Sequence, residues 1–111
     1  MKIVPRHFRE FEQILLYAVT HLQDREDGAT GPAIRRLIER STGRVVSPGA
    51  IYTALDRLET RGCVRSKLGE PTPERGGKRK RLYRMSAAGT AALRASESAL
   101  NRMSQLARAK P

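Results

Sequence analysis

Six lysines and arginines fall within ten consecutive positions, 75 to 84, with no acid among them: Arg75, Lys78, Arg79, Lys80, Arg81 and Arg84. Guanidinium and ammonium groups at this density repel one another unless a polyanion faces them, so the stretch suits phosphate contact. The rest of the chain agrees. It has 111 residues, 22 basic against 11 acidic, and a formal net charge of +11, which favours nucleic acid as partner ahead of anionic lipid. Catalytic chemistry has far less support. His7 and His21 are too far apart in sequence to form a local pair, and no Ser/His/Asp set, phosphate loop or metal-ligand spacing appears. "RGGK" lacks the strand and helix that a phosphate cradle needs, and Asp24, Glu26 and Asp27 read as a solvated loop rather than a cation site. The expectation is a protein that is not an enzyme and uses no cofactor or metal.

The single Cys63 excludes an internal disulfide and a thiolate metal cage, and it reads as a small buried apolar residue. No apolar run is long enough to span a membrane, and the amino end has no signal-peptide core. The chain is expected to be soluble and cytoplasmic.

The elements that must carry the basic stretch follow from periodicity. In "FREFEQILLYAVTHL", Phe8, Phe11, Leu15, Ala18 and Leu22 share one helical face, and Ile14, Leu16, Tyr17 and Val19 widen it, so a first helix is buried on more than one side. After the acidic break "QDREDGATG", the run "PAIRRLIERS" gathers Ile34, Leu37 and Ile38 and turns Arg35, Arg36 and Arg40 outward; Gly43 ends this second helix. A third opens on Ser47 as N-cap with Pro48 in its first turn, and Gly62 closes it. Ile51, Leu55 and Leu58 form its buried stripe, leaving Gly49, Thr53, Asp56 and Thr60 opposite and Tyr52 and Arg57 on the flanks.

Beyond Gly62 the period changes to alternation. Val64 with Leu68, and Tyr83 with Met85, mark the buried faces of two strands joined by the loop "EPTPERGGK", so the basic run climbs the returning strand. Ser86 then caps a helix over residues 87 to 108, on which Leu93, Leu100 and Ala107 recur with Met103 and Leu106 alongside.

The fold class is therefore mainly α with a small β-hairpin: a winged helix-turn-helix over residues 1–86 and a long C-terminal dimerisation helix over 87–111, forming one structural unit. In such a domain the third helix lies in the major groove and the hairpin is a wing on phosphates or the adjoining minor groove. The DNA-contacting candidates are Ser47, Gly49, Tyr52, Thr53 and Arg57 on the helix and Lys78, Arg79, Lys80 and Arg81 on the wing. Asp56 fits this face only if it pairs with Arg57, Arg35 or a cytosine amino group. Candidates for the dimer interface are Phe8, Phe11, Leu15, Leu93, Leu100 and Met103.

"SPGAIYTALDRLETRGCVRS" followed by "GKRKRLYRMSAAGTAAL" resembles the PadR family of bacterial winged-helix transcription regulators over roughly residues 11 to 95. Tyr52 matches the family's third-helix tyrosine, Leu55, Leu58 and Glu59 its L-x-x-L-E pattern, and Gly89 the glycine that opens its fourth helix. The resemblance implies a homodimer on an inverted-repeat operator in double-stranded DNA, usually acting as a repressor, with dimer contacts from the first and last helices. It also implies room for a small aromatic or apolar effector walled by the first helix, including Tyr17, and the last. Five aromatic residues and no tryptophan argue against a stacking platform there. The alternative function is a winged-helix module for protein or RNA contacts.

Overall fold

The computed structural model of the chain describes residues 7–71 and 79–109. In order these form α1 (Glu10–Leu22), α2 (Gly31–Thr42), α3 (Pro48–Thr60), β1 (Val64–Pro71), β2 (Arg79–Met85) and α4 (Ala87–Arg108). The mainly α fold with one antiparallel hairpin is the winged-helix arrangement the sequence implied.

Local chemistry explains where each helix begins. Thr30, Ser47 and Ser86 stand in extended conformation before α2, α3 and α4, and each side chain accepts an N–H from the first turn, of Ala33, Ala50 and Gly89 respectively. Each such cap contributes about 1 kcal/mol by satisfying an otherwise orphaned donor. At the start of α1 the Arg9 N–H donates to Glu12 Oε1 at 2.9 Å, while Glu12 Oε2 accepts from Arg61 Nη1 at 2.9 Å. One buried carboxylate thus caps α1 and fastens it to the end of α3.

The core lies where α1, α2 and α3 meet the base of the hairpin: Leu15, Leu16, Val19, Ile34, Ile51 and Leu55 are essentially inaccessible to water. Two adjacent leucines in α1 can both be buried only because neighbours cover that helix on more than one side, as its wide apolar stripe implies. The hairpin pairs Val64 with Met85, Ser66 with Tyr83 and Leu68 with Arg81 before its register shifts toward Pro71 and Arg79. Among the described residues Tyr83 is the largest fully buried side chain. Leu68 departs from expectation: it shares the face of Val64 but is 50 % exposed, because by that point β1 has run past the core.

The loop after α1 is stitched to β2. The Tyr83 N–H donates to the Ala29 carbonyl, the Met85 N–H to Gln23 Oε1, and the Arg84 guanidinium to the Gln23 carbonyl and to Asp24 Oδ1 at 2.7 Å. Asp24 therefore holds an arginine of the basic run while its loop remains exposed to solvent.

The end of α3 is a tight junction. Gly62, with φ of 82°, sends its N–H to the Glu59 carbonyl while the Cys63 N–H reaches back to Leu58, the paired bonds of a Schellman termination. Cys63 and Leu58 are both fully buried, so this cysteine is the apolar residue that seals the turn, as the sequence suggested. The start of α4 is laid directly on it: a Cβ on Gly89 would overlap the Cys63 carbonyl.

That obstacle is backbone, so no rotamer change relieves it. Gly89→Ala is expected to lose about 2 kcal/mol of stability in urea unfolding by overpacking, although alanine is by itself better in a helix by about 1 kcal/mol.

Burial also gives the fold an alkaline limit. Desolvation is the main cause that pushes the Cys63 thiol up from an ordinary 9.0 and the Tyr83 phenol up from 10.0 to about 12, with the Asp56 charge next in order for Tyr83. In the unfolded chain both protons leave at lower pH than in the fold. Their contribution is therefore intact below pH 9.0 and is lost progressively as pH rises toward about 12. Chemical unfolding at a series of alkaline pH values should show this decline, and Tyr83→Phe should flatten it between pH 10 and about 12.

Candidate nucleic-acid interface

On α3, Ile51, Leu55 and Leu58 face inward, and Gly49, Thr53, Asp56, Arg57 and Thr60 are exposed. Ser47 is committed to its cap, its Oγ accepting the Ala50 N–H at 3.1 Å, so its side chain is a helix starter. Gly49 is more informative. A Cβ there would meet nothing within 4 Å, so the protomer has no packing use for a glycine in the first turn of a helix. The bareness matters only to something approaching from outside.

Tyr52 has a second occupation. The phenol end of its ring packs against Gly31 at the start of α2, where a Cβ would overlap it, and it remains 40 % exposed. It braces α3 against α2 and leaves one edge open to solvent. Thr53 and Arg57 are exposed on the same helix, and among the described residues Arg57 enters no ion pair.

The wing cations divide between two faces. Lys78 lies outside the described residues. Arg79 and Arg81 are exposed. Arg81 shares the side of Ser66 and Tyr83, turned toward α3, and its Nη1 donates to Ser66 Oγ at 3.0 Å. Lys80, one residue away, points to the opposite side by strand alternation and lines a crevice of mixed charge, with Glu26, Asp27 and Glu70 on one side of the balance and Arg25, Lys67 and Arg84 on the other. Sequence reading grouped the four cations as one phosphate-binding set; strand geometry separates Lys80 from its neighbours.

Sequence reading also missed what holds Arg81. Both Glu59 carboxylate oxygens lie within hydrogen-bonding reach of the Ser66 hydroxyl, at 2.8 and 3.0 Å, and Oε2 also accepts the Ser66 N–H. Because Ser66 Oγ in turn accepts from Arg81, a continuous path of hydrogen bonds runs from α3 to the wing. The only sequence signal was Glu59 in the L-x-x-L-E pattern, which says nothing about its partner.

The six dimer candidates fall into three groups. Leu15 and Leu93 belong to the protomer's own core and are closed to a second chain. Phe8 and Phe11 are half-buried against that core. Leu100 and Met103 are 55 and 63 % exposed, and Leu106 beside them 68 %. The Tyr17 wall is also relocated within the protomer. Its hydroxyl donates to Glu97 of α4 at 2.6 Å, and its ring lines a cleft of about 350 Å³ between α1 and α2, with Ile14, Ala18, His21 and Leu37; α4 contributes no wall.

Among the described residues no group of histidine, cysteine, aspartate or glutamate side chains could hold a metal, and no helix is long and apolar enough to cross a membrane.

Comparison with known proteins follows the same lines. The profile of the family described as "Transcriptional regulator PadR-like family" matches residues 19–95. No curated protein matches the sequence. Among solved structures, a PadR-like transcription factor from Bacteroides fragilis superposes with a TM-score of 0.72 at 16 % identity, over 87 % of this chain and 85 % of that one. A PadR-like transcriptional regulator from Bacillus cereus gives 0.69 at 17 % identity, over 90 % and 93 %. A PadR family regulator from Eggerthella lenta gives 0.64 at 20 % identity, over 91 % and 88 %.

The division of the wing makes a testable contrast. Replacing Arg79 and Arg81 with alanine is expected to weaken all duplexes alike and to flatten the dependence of log K on log salt by about one unit for each phosphate left without its cation. Replacing Lys80 alone should change the slope less. Fluorescence anisotropy over a salt series checks both.

Proposed function

The chain belongs to the PadR-like family of transcriptional regulators, and we propose that it is a repressor which binds an inverted-repeat operator as a homodimer, one α3 in the major groove of each half-site. It is a DNA-binding transcription regulator and not an enzyme. The observation that carries the finer reading is the exposed face of α3, where Gly49, Thr53 and Arg57 serve no packing need of the protomer, set beside the Arg79 and Arg81 guanidinium groups.

The division of labour follows from chemistry. Arg79 and Arg81 take phosphates, which fix register without carrying sequence information, and Thr53 with its neighbours reads base edges. Repression by occupancy of the operator needs nothing further.

The dimer rests on α4. Beyond Ser96 every described residue of that helix is exposed, and Leu100, Met103 and Leu106 form an apolar ridge without a cover in the protomer. An isolated helix of three turns is marginal in water. A two-fold partner presenting the same ridge would cover it, with Phe8 and Phe11 at its edge.

Selection of duplexes from a random pool tests the reading as a whole. A palindromic consensus is the expected result, while sequence-blind binding would favour a general RNA- or protein-contact module. Leu100→Glu should convert a micromolar dimer to monomers in analytical ultracentrifugation and lower operator affinity, because it would bury an unpaired charge at the two-fold axis. A wild-type monomer at that concentration contradicts the dimer.

A further inference from the structure

The geometry points to Asp56 as the residue of α3 that selects a cytosine in each half-site, its carboxylate accepting a hydrogen bond from the base's exocyclic amino group. This inference rests on the operator-binding reading above. Asp56 lies about 60° round the helix from Thr53, on the same exposed face as Gly49 and Thr60. The partners that would have made it a structural residue do not take it. Among the described residues it enters no ion pair: Arg61, Arg44 and Arg84 are bound to Glu12, Glu10 and Asp24, and neither Arg35 nor Arg57 closes on it. The other acid in the second half of α3, Glu59, is turned to Ser66 and is satisfied there. Asp56 is thus left as a free carboxylate on the surface that meets a polyanion, in a chain of net charge +11.

Among the described residues no ion pair rewards that placement. Aspartate is among the weaker helix formers, and its charge opposes every phosphate that approaches. A duplex offers compensation at one kind of edge. Guanine presents two acceptors in the major groove and thymine an acceptor and a methyl group. Adenine sets its amino group beside the N7 acceptor, which repels a carboxylate. Cytosine shows an amino donor with no acceptor of its own beside it. The same charge that repels phosphates in every register is offset only where such a donor meets it, so Asp56 penalises random DNA and spares the operator.

The test compares wild type with Asp56→Ala, an exposed change to a better helix former that leaves the core untouched. Both proteins are used to select duplexes from a random pool, and affinities are then measured for the wild-type consensus, for duplexes changed at one position at a time, and for random DNA at the same salt. Wild type is expected to prefer cytosine by about tenfold at one position of each half-site, within the range of a single base contact. Asp56→Ala should flatten that position, keep the others and bind random DNA more tightly. If the variant tightens on every duplex equally with its consensus intact, Asp56 is a general repulsive charge and the assignment is wrong. If wild type enriches no consensus at all, the operator-binding reading falls, and this inference with it.

Discussion

The end of α3, the hairpin and the start of α4 are joined at one peptide carbonyl. The Cys63 oxygen accepts the Ser86 N–H at 3.0 Å, with the Ser86 hydroxyl 3.1 Å away and donating more closely to Gly62 at 2.6 Å, while the same hydroxyl caps α4 by accepting from Gly89. Four elements meet there: the end of α3, the first residue of β1, the last of β2 and the start of α4. Gly89 lets α4 approach until backbone touches backbone, and Gly62 lets α3 stop abruptly enough for the hairpin to begin at Val64. Loosening this junction would leave the separate helices capped and amphipathic but would disconnect their directions. Its hydrogen bonds are worth about 1 kcal/mol each in stability; what they add is a fixed angle between α3, the wing and the last helix.

Charge is organised around that frame in two populations. Arg84, Arg61 and Arg44 each hold a carboxylate on a different element, joining β2 to the loop after α1, α3 to α1, and the turn before α3 to the start of α1. The Arg44 and Arg84 pairs are substantially exposed, and pairs of that kind contribute about 0–1 kcal/mol, so their effect is to place elements more than to stabilise them. The second population, Arg57, Arg79 and Arg81, is exposed and enters no ion pair among the described residues. A basic run that looks uniform in sequence therefore contains an arginine that ties the fold together, a lysine on the opposite face of the strand, and two exposed guanidinium groups.

Much of the architecture was legible because its determinants are local. Ser47, Ser86, Gly43 and Gly62 act within a few residues of themselves, and the sequence placed the limits of α3 and α4 through them. What it could not show was which residues meet across long separations. Periodicity put Leu15 and Leu93 on apolar faces without saying that the protomer's own core would use them, and alternation put Leu68 on the buried face without saying where the core stops. Glu59 and Ser66, Arg84 and Asp24, and Tyr17 and Glu97 are pairings of polar residues whose partners only the folded chain selects. The division of the wing cations follows from strand alternation and became readable once the start of β2 was fixed.

The last helix shows how one sequence pattern serves two surfaces. Leu93 and Leu100 are one heptad apart and so lie on nearly the same face, yet the first is buried and the second is half-exposed. The helix has not turned; the body beneath it has ended. Past Glu97, whose carboxylate accepts from Tyr17 of α1, the ridge continues through the exposed Leu100, Met103 and Leu106. At 22 residues α4 is about 33 Å long, comparable with the 34–36 Å that separates successive major-groove faces of a duplex. In a two-fold dimer joined along this ridge, the distance between the two α3 helices is determined by the angle at which α4 leaves the Cys63–Ser86 junction. In the proposed dimer a small rotation there would be carried to the far end of a long helix, so half-site spacing would follow from that buried junction as well as from the residues touching DNA.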